Sequence, residues 1–293
     1  MKLPKAPRAW AGRLTTMLDQ VLGADRFPVD VSAVAQGYSA QVYPGDSIVH
    51  VDGANLPGFE GALLPVPGRK GWGIIYNQGI ASRGRINFTL AHEFGHYLVH
   101  RAEHPKGIHC STDDVSRGQT GTRDIEREAD LFAADLLMPF NDFRKQITEH
   151  ESPDIDAISA CAVRYRVSLL AATLRWISYT QRRAVLVVSR DGFILWSRSS
   201  DAALKTRAFF RTSVGPIEIP QASLAARQDL PVDNRTGLRH PAGVWFDEEV
   251  KEMAVFSEQY DFAVSLVILG DPPDWRPTQP DDDEKPWWSK LSA

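Results

Sequence analysis

Two histidines in the stretch His92-Glu93-Phe94-Gly95-His96 place strict requirements on how this chain can fold. Apolar residues recur at three- and four-residue intervals over residues 86–101, which predicts an α-helix there. Histidines four residues apart lie on one face of such a helix, about one turn from each other. The pattern is typical of a metal site, so another element must bring at least one further ligand to this face.

The third ligand is expected from a second helix, predicted over residues 124–137. Catalytic zinc commonly takes three protein ligands, and two histidines with one glutamate form a known set. Only two cysteines occur, Cys110 and Cys161, and neither has a CxxC partner. We therefore expect free thiols and a metal held by nitrogen and oxygen atoms, with Glu126 as the third ligand.

Helix geometry ranks the acidic residues of the second helix. Glu126 and Asp130 are four residues apart and share a face, whereas Glu128 projects roughly 160° away from Glu126. Asp130 is therefore expected to accept the second ring N–H of a ligand histidine, and Glu128 is the alternative ligand. Gly95 in a helix interior costs roughly 1 kcal/mol relative to alanine, which a close approach of the second helix would explain.

The composition is that of an ordinary soluble globular protein. The 293 residues are 43% hydrophobic and 24% charged with a formal net charge of −4, which predicts two or more compact units. The slightly acidic balance does not favour nucleic acid as the main partner. Residues 1–12 lack a signal-peptide apolar region, and no apolar run approaches membrane length. We expect a cytoplasmic protein without membrane contact.

Periodicity and turn residues predict the order of elements along the chain. Helices are predicted over residues 10–22, 30–36, 86–101, 124–137, 154–164 and 168–179. Strands are predicted over residues 41–51, 71–76, 185–188, 193–196 and 262–269, with an Asp191-Gly192 hairpin turn. Residues 101–123 are predicted to form a long polar loop, and residues 271–293 a tail rich in proline, aspartate and tryptophan.

The blocks from Phe88 to His100 and from Glu126 to Pro139 resemble the ImmA/IrrE family of bacterial metallopeptidases. The resemblance covers roughly residues 10–180, although the long polar segment between the blocks departs from the family pattern. It implies an α+β chain with a thermolysin-like minimal protease domain over residues 1–150. His92, His96 and Glu126 match the family's positions for one zinc ion, and Glu93 matches its catalytic glutamate.

The resemblance also implies a partner, and the pattern of predicted elements gives the organisation of the remaining chain. Known members act on helix-turn-helix repressors after DNA damage or in mobile-element control, so we expect a zinc-dependent endopeptidase that cleaves such a repressor. Residues 151–180 are predicted to be a helix-turn-helix-like segment and residues 181–270 a C-terminal α+β domain. Longer family members carry a GAF-like domain, which this C-terminal domain is expected to resemble.

In the expected reaction, zinc polarises a bound water and the scissile carbonyl, and Glu93 takes the water proton. The oxyanion partner stays open among Tyr97, His100, His104 and His109, although a histidine at the position of His100 more often caps the last helix carbonyls. Residues 71–77 are either an edge strand that pairs with an extended substrate or an ordinary strand of the sheet.

Two alternatives remain at the sequence level. The helical segment either binds DNA directly or packs on the protease domain with a solvated basic face formed by Arg164, Arg166, Arg175, Arg182 and Arg183. The whole protein is alternatively a non-proteolytic zinc-binding regulator, or a toxin–antitoxin component, that sequesters a repressor.

Overall fold

The computed structural model describes residues 3–68, 70–111, 120–227, 233–257 and 261–271. These residues contain eight α-helices and two β-sheets, which confirms the predicted α+β class. The helices are α1 Pro7–Leu22, α2 Val31–Val42, α3 Arg83–Val99, α4 Thr120–Leu137, α5 Phe140–Gln146, α6 Ile155–Tyr165, α7 Leu169–Ile177 and α8 Asp201–Lys205. The predicted tail lies outside the described residues, apart from Asp271.

The first sheet has the strand order β1-β3-β2-β4. Its strands are β1 Ile48–Ala54, β2 Phe59–Pro65, β3 Trp72–Asn77 and β4 Ile108–Ser111. β3 pairs in parallel with β1 and antiparallel with β2, so both of its edges carry hydrogen bonds. Of the two alternatives for residues 71–77, the ordinary sheet strand is therefore confirmed and the edge strand is wrong, and the outer position beyond β2 is taken by β4.

Several predicted boundaries in this half of the chain are wrong. The strand predicted over residues 41–51 begins only at Ile48, because α2 continues to Val42, whose side chain packs against the hydrophobic core. The predicted loop over residues 101–123 contains β4, and α4 begins within it at Thr120. Helix α3 begins at Arg83, because the Ser82 hydroxyl accepts a hydrogen bond from the backbone N–H of Arg85.

The predicted helical pair is confirmed as α6 and α7. Asp154 caps α6 through the N–H of Ala157, and Ser168 caps α7 through the N–H of Ala171. Within the described ranges, no single helix has the length and apolar character needed to span a membrane; α6 and α7 meet that criterion only jointly, with a bend of 109° between them.

The second sheet has the order β6-β5-β9-β8-β7, and all its neighbours are antiparallel. Its strands are β5 Ala184–Arg190, β6 Phe193–Ser199, β7 Leu238–His240, β8 Val250–Ser257 and β9 Phe262–Leu269. Asp191 and Gly192 have φ values of 51° and 81°, which confirms the predicted hairpin turn. Leu186 and Ile268 of this sheet share one hydrophobic core with Trp10 of α1 and Trp176 of α7.

A buried carboxylate holds two loops against the second sheet. Glu252 of β8 is fully buried and accepts hydrogen bonds from the backbone N–H groups of Leu224 and Ala225. It also accepts from Trp245 Nε1 at 2.8 Å and from Ser265 Oγ at 2.7 Å. Nε2 of the buried His240 lies 2.9 Å from the same carboxylate. These partners stabilise the carboxylate inside the core, because each polar group left unpaired there carries a desolvation cost.

Removing this carboxylate should destabilise the protein. We expect Glu252→Ala to lower the free energy of unfolding by about 3–5 kcal/mol, because the donors lose their acceptor inside the core. Chemical denaturation followed by tryptophan fluorescence measures the change. The control is Glu249→Ala, which removes an exposed ion pair with Arg239 and should change stability by less than about 1 kcal/mol. Equal losses in the two variants would contradict the anchoring role.

Candidate metal centre

Helices α3 and α4 bring three metal-binding side chains to one point. The Nε2 atoms of His92 and His96 are 2.9 Å apart. Glu126 places its Oε2 atom 3.1 Å from Nε2 of His92 and its Oε1 atom 3.4 Å from Nε2 of His96. Ligand atoms around a four-coordinate zinc ion with bonds of about 2.0–2.1 Å are about 3.3 Å apart. The three side chains therefore fit one such ion, and together they form a group compatible with metal binding.

The charges within this group also suit a cation. Burial disfavours a charged imidazole, but hydrogen bonds to Asp130 and Glu126 outweigh it and raise the pKa of His92 to about 10. Burial lowers the pKa of His96 to about 4. Burial of Glu126 is outweighed by the two histidines, which hold its pKa well below the usual range. At neutral pH the group thus holds an ionised carboxylate and a His92 ring protonated on both nitrogens, and a metal ion would displace the proton on Nε2.

Gly95 allows the two helices to approach each other. A Cβ atom at this position would lie 2.9 Å from Cδ1 of Phe132 and 3.3 Å from Cα of Ala129, both on α4. The steric reason predicted for a glycine in the middle of this helix is therefore confirmed. The approach is also what carries Glu126 of α4 to the histidines of α3.

The other acidic residues of α4 face different partners. Oδ1 of Asp130 lies 2.9 Å from Nδ1 of His92, the ring nitrogen that points away from the metal group. Oε2 of Glu128 lies 3.0 Å from Nε2 of His100. The structure thus places Asp130 where the sequence predicts it, and it places Glu128, the alternative ligand, against His100 rather than in the metal group.

Glu93 lies beside the metal group and is closely covered by β2. The residue is fully buried. A Cβ atom at Gly61 of β2 would lie 2.8 Å from Oε1 of Glu93 and 2.6 Å from Cγ2 of Thr89. Only glycine permits this approach of strand to helix. Neither β2 nor the role of Gly61 was predicted from the sequence, although a glycine beside the apolar run Ala62-Leu63-Leu64 is a signal of close backbone approach.

The candidate oxyanion residues have different surroundings in the structure. The Tyr97 hydroxyl donates to the backbone carbonyl of Asp46 at 2.8 Å, and its ring is fully buried. His104 lies in the turn after α3, and the side chain of His109 is outside the described residues. The prediction that the ring of His100 caps helix carbonyls is wrong, because both of its nitrogens contact side chains, those of His96 and Glu128.

The arginines near the helical pair mostly contact acceptors within the protein. Arg164 pairs with Asp142, and Arg175 with Asp135. Arg183 pairs with Glu248, and Arg182 donates to the backbone carbonyl of His150. Arg166 is exposed at the end of α6. Helix α7 also buries Ala172, Thr173 and Trp176. These contacts favour the packing interpretation over insertion of α7 into a DNA groove.

Comparison with known proteins assigns the region around this group. The peptidase M78 family model, described as an IrrE N-terminal-like domain, matches residues 49–176. The match contains both sequence blocks and all of the residues placed around the metal group. Comparison with curated proteins gave no match.

Proposed function

Because residues 49–176 belong to the IrrE N-terminal-like family of M78 peptidases, we propose that this protein is a zinc-dependent endopeptidase whose substrate is a helix-turn-helix repressor. The observation that carries the proposal is the convergence of His92, His96 and Glu126, with Glu93 one residue from a ligand. Such a set supports metal-assisted hydrolysis of a peptide bond rather than a purely structural ion, because the three protein ligands leave one position for water.

Each residue of the site has a distinct task in this proposal. His92, His96 and Glu126 would hold the zinc ion, which when bound supplies a Lewis acid and lowers the pKa of a water molecule. Asp130 accepts the Nδ1–H of His92, so that Nε2 of this ring faces the metal group with its lone pair. Glu93 takes a proton from the attacking water and returns it to the leaving amide nitrogen.

The first sheet offers a place for the substrate backbone. β4 pairs with β2, the strand that covers Glu93, and among the described strands its other edge has no neighbour. An extended peptide that adds to β4 would therefore run next to the strand closest to the general base. This assignment replaces the internal strand β3 as the proposed recognition edge.

The remaining parts of the proposal follow the family resemblance. We propose that α3 and α4 form the two-helix core of a thermolysin-like domain, which their close approach at Gly95 supports. The five-stranded antiparallel sheet of residues 184–269 supports a GAF-like C-terminal domain. Repressor cleavage in the cytoplasm, during a stress or mobile-element response, would link the chemistry to transcription.

The test is metal-dependent cleavage of a defined repressor. Zinc-loaded and chelator-treated protein are each incubated with purified helix-turn-helix repressors from the same organism, and fragments are identified by mass spectrometry. We expect discrete fragments only with the loaded protein, and none from casein as a non-specific substrate. A stable complex without fragments would instead identify the sequestering regulator, and cleavage that survives chelation would contradict the proposed chemistry.

A further inference from the structure

The outer ring nitrogen of His96 leads to a second pair of polar residues. Nδ1 of His96 lies 3.1 Å from Nδ1 of His100, and Nε2 of His100 lies 3.0 Å from Oε2 of Glu128. We infer that His100 and Glu128 position His96 as a metal ligand through this continuous line of hydrogen bonds, which we call the His96 relay. The inference rests on metal binding by His96 and is independent of peptide hydrolysis.

The direction of each hydrogen bond follows from the chemistry of imidazole. A metal ion binds the lone pair of Nε2, so the remaining proton of a neutral His96 is on Nδ1. That N–H can donate only if Nδ1 of His100 carries no proton, which puts the His100 proton on Nε2. Nε2–H then donates to the Glu128 carboxylate. One arrangement of protons therefore satisfies all three residues at once, and it leaves Nε2 of His96 facing the metal.

Burial explains why an extra residue is needed between ligand and carboxylate. His96 is fully buried, whereas the side chain of Glu128 is 42% exposed. His92 sits closer to solvent and contacts the carboxylate of Asp130 directly. His100, buried against both partners, carries the interaction from the interior to the helix surface. A carboxylate behind a ligand histidine fixes the ring orientation and raises its basicity, and here it acts on His96 through a second imidazole.

The experiment measures metal affinity in graded variants without substrate. Zinc affinity is determined by competition with a chromophoric chelator, and the visible absorption spectrum of the Co²⁺-substituted protein reports the ligand geometry. We expect His100→Phe to weaken zinc binding by about 10–100-fold, because it keeps a ring but removes the acceptor for His96. His100→Asn should recover part of the affinity, because the amide oxygen can take the place of Nδ1.

Glu128 supplies a second test on a surface that tolerates substitution. Glu128→Ala should weaken zinc binding by about tenfold, whereas Glu128→Gln should recover most of it, because the amide oxygen still accepts from His100. Asp124→Asn is the matched control, since this carboxylate is exposed on the same helix and its one ion pair among the described residues is with Arg127. Its affinity and Co²⁺ spectrum should equal those of the wild type.

The possible results separate the relay from simple packing and from the proposed function. Equal affinities for His100→Phe and His100→Asn, or an unchanged Glu128→Ala, would overturn the relay. If His100→Phe does not fold, the Glu128 pair decides. A wild type that binds no zinc would overturn the relay together with the metal centre. A wild type that binds zinc but cleaves no repressor would overturn only the proposed function.

Discussion

Replacing Glu93 with glutamine is expected to slow repressor cleavage by about a hundred- to ten-thousandfold, the usual contribution of general acid–base catalysis. Glutamine keeps the size and hydrogen-bonding capacity of the buried side chain, but it cannot take a proton from water at neutral pH. The metal group does not include Glu93, so its three side chains stay in place. Zinc binding should therefore remain close to that of the wild type.

Two measurements on the same sample check this prediction. Fragment formation is followed by mass spectrometry under single-turnover conditions, and zinc content per chain is determined by elemental analysis. Glu103→Gln makes the same chemical change at an exposed position after α3 and should cleave at the wild-type rate. Undiminished turnover by Glu93→Gln would remove Glu93 from the mechanism, and loss of zinc from this variant would show that its role is structural.

Helix geometry alone predicted which side chains could meet at the metal group. The spacing of His92 and His96 defines one face of α3, and the spacing of Glu126 and Asp130 defines one face of α4. The mid-helix Gly95 then indicated that the two faces come close. The structure brings these residues together as expected, whereas their roles as ligands and as a ligand support stay predictions until metal binding is measured.

His100 and Glu128 could not be placed in this way. Glu128 lies outside the face that Glu126 and Asp130 define on α4, and its contact with His100 depends on how α3 crosses α4. The crossing angle between two helices is set by the side chains that pack between them. It cannot be predicted from the periodicity of either helix alone. The repeat of histidine four residues after His96 was the one available sign.

Strands β2 and β8 were not predicted from the sequence, because contacts made far along the chain stabilise them. β2 contains Gly61 and ends at Pro65, two residue types that weaken strand formation, and it exists because β3 and β4 pair with it on both sides. β8 contains Lys251 and Glu252 within its apolar run. The burial of Glu252 is stabilised by partners from elsewhere in the chain, among them Trp245 and Ser265.

Substitution of Gly61 is expected to have the second large effect on cleavage. We expect Gly61→Ala to slow cleavage by about a hundredfold, because the new Cβ would displace Glu93 and a misplacement of about 1 Å has that cost. The added methyl group would also meet Cγ2 of Thr89 at 2.6 Å, which should lower the free energy of unfolding by about 1–3 kcal/mol. The ligand atoms lie on α3 and α4, so zinc affinity should change by less than about tenfold.

Two comparisons assign this loss to Glu93 rather than to the sheet as a whole. Gly73→Ala adds the same methyl group in the neighbouring strand β3, where the nearest atom would be 3.8 Å away, and its cleavage rate and stability should stay near the wild type. Adding Thr89→Ser to Gly61→Ala removes the methyl at 2.6 Å but leaves the contact with Oε1 of Glu93 at 2.8 Å. The double variant should therefore regain stability without regaining cleavage. Full recovery of cleavage would mean that Gly61 serves only the packing of β2 on α3.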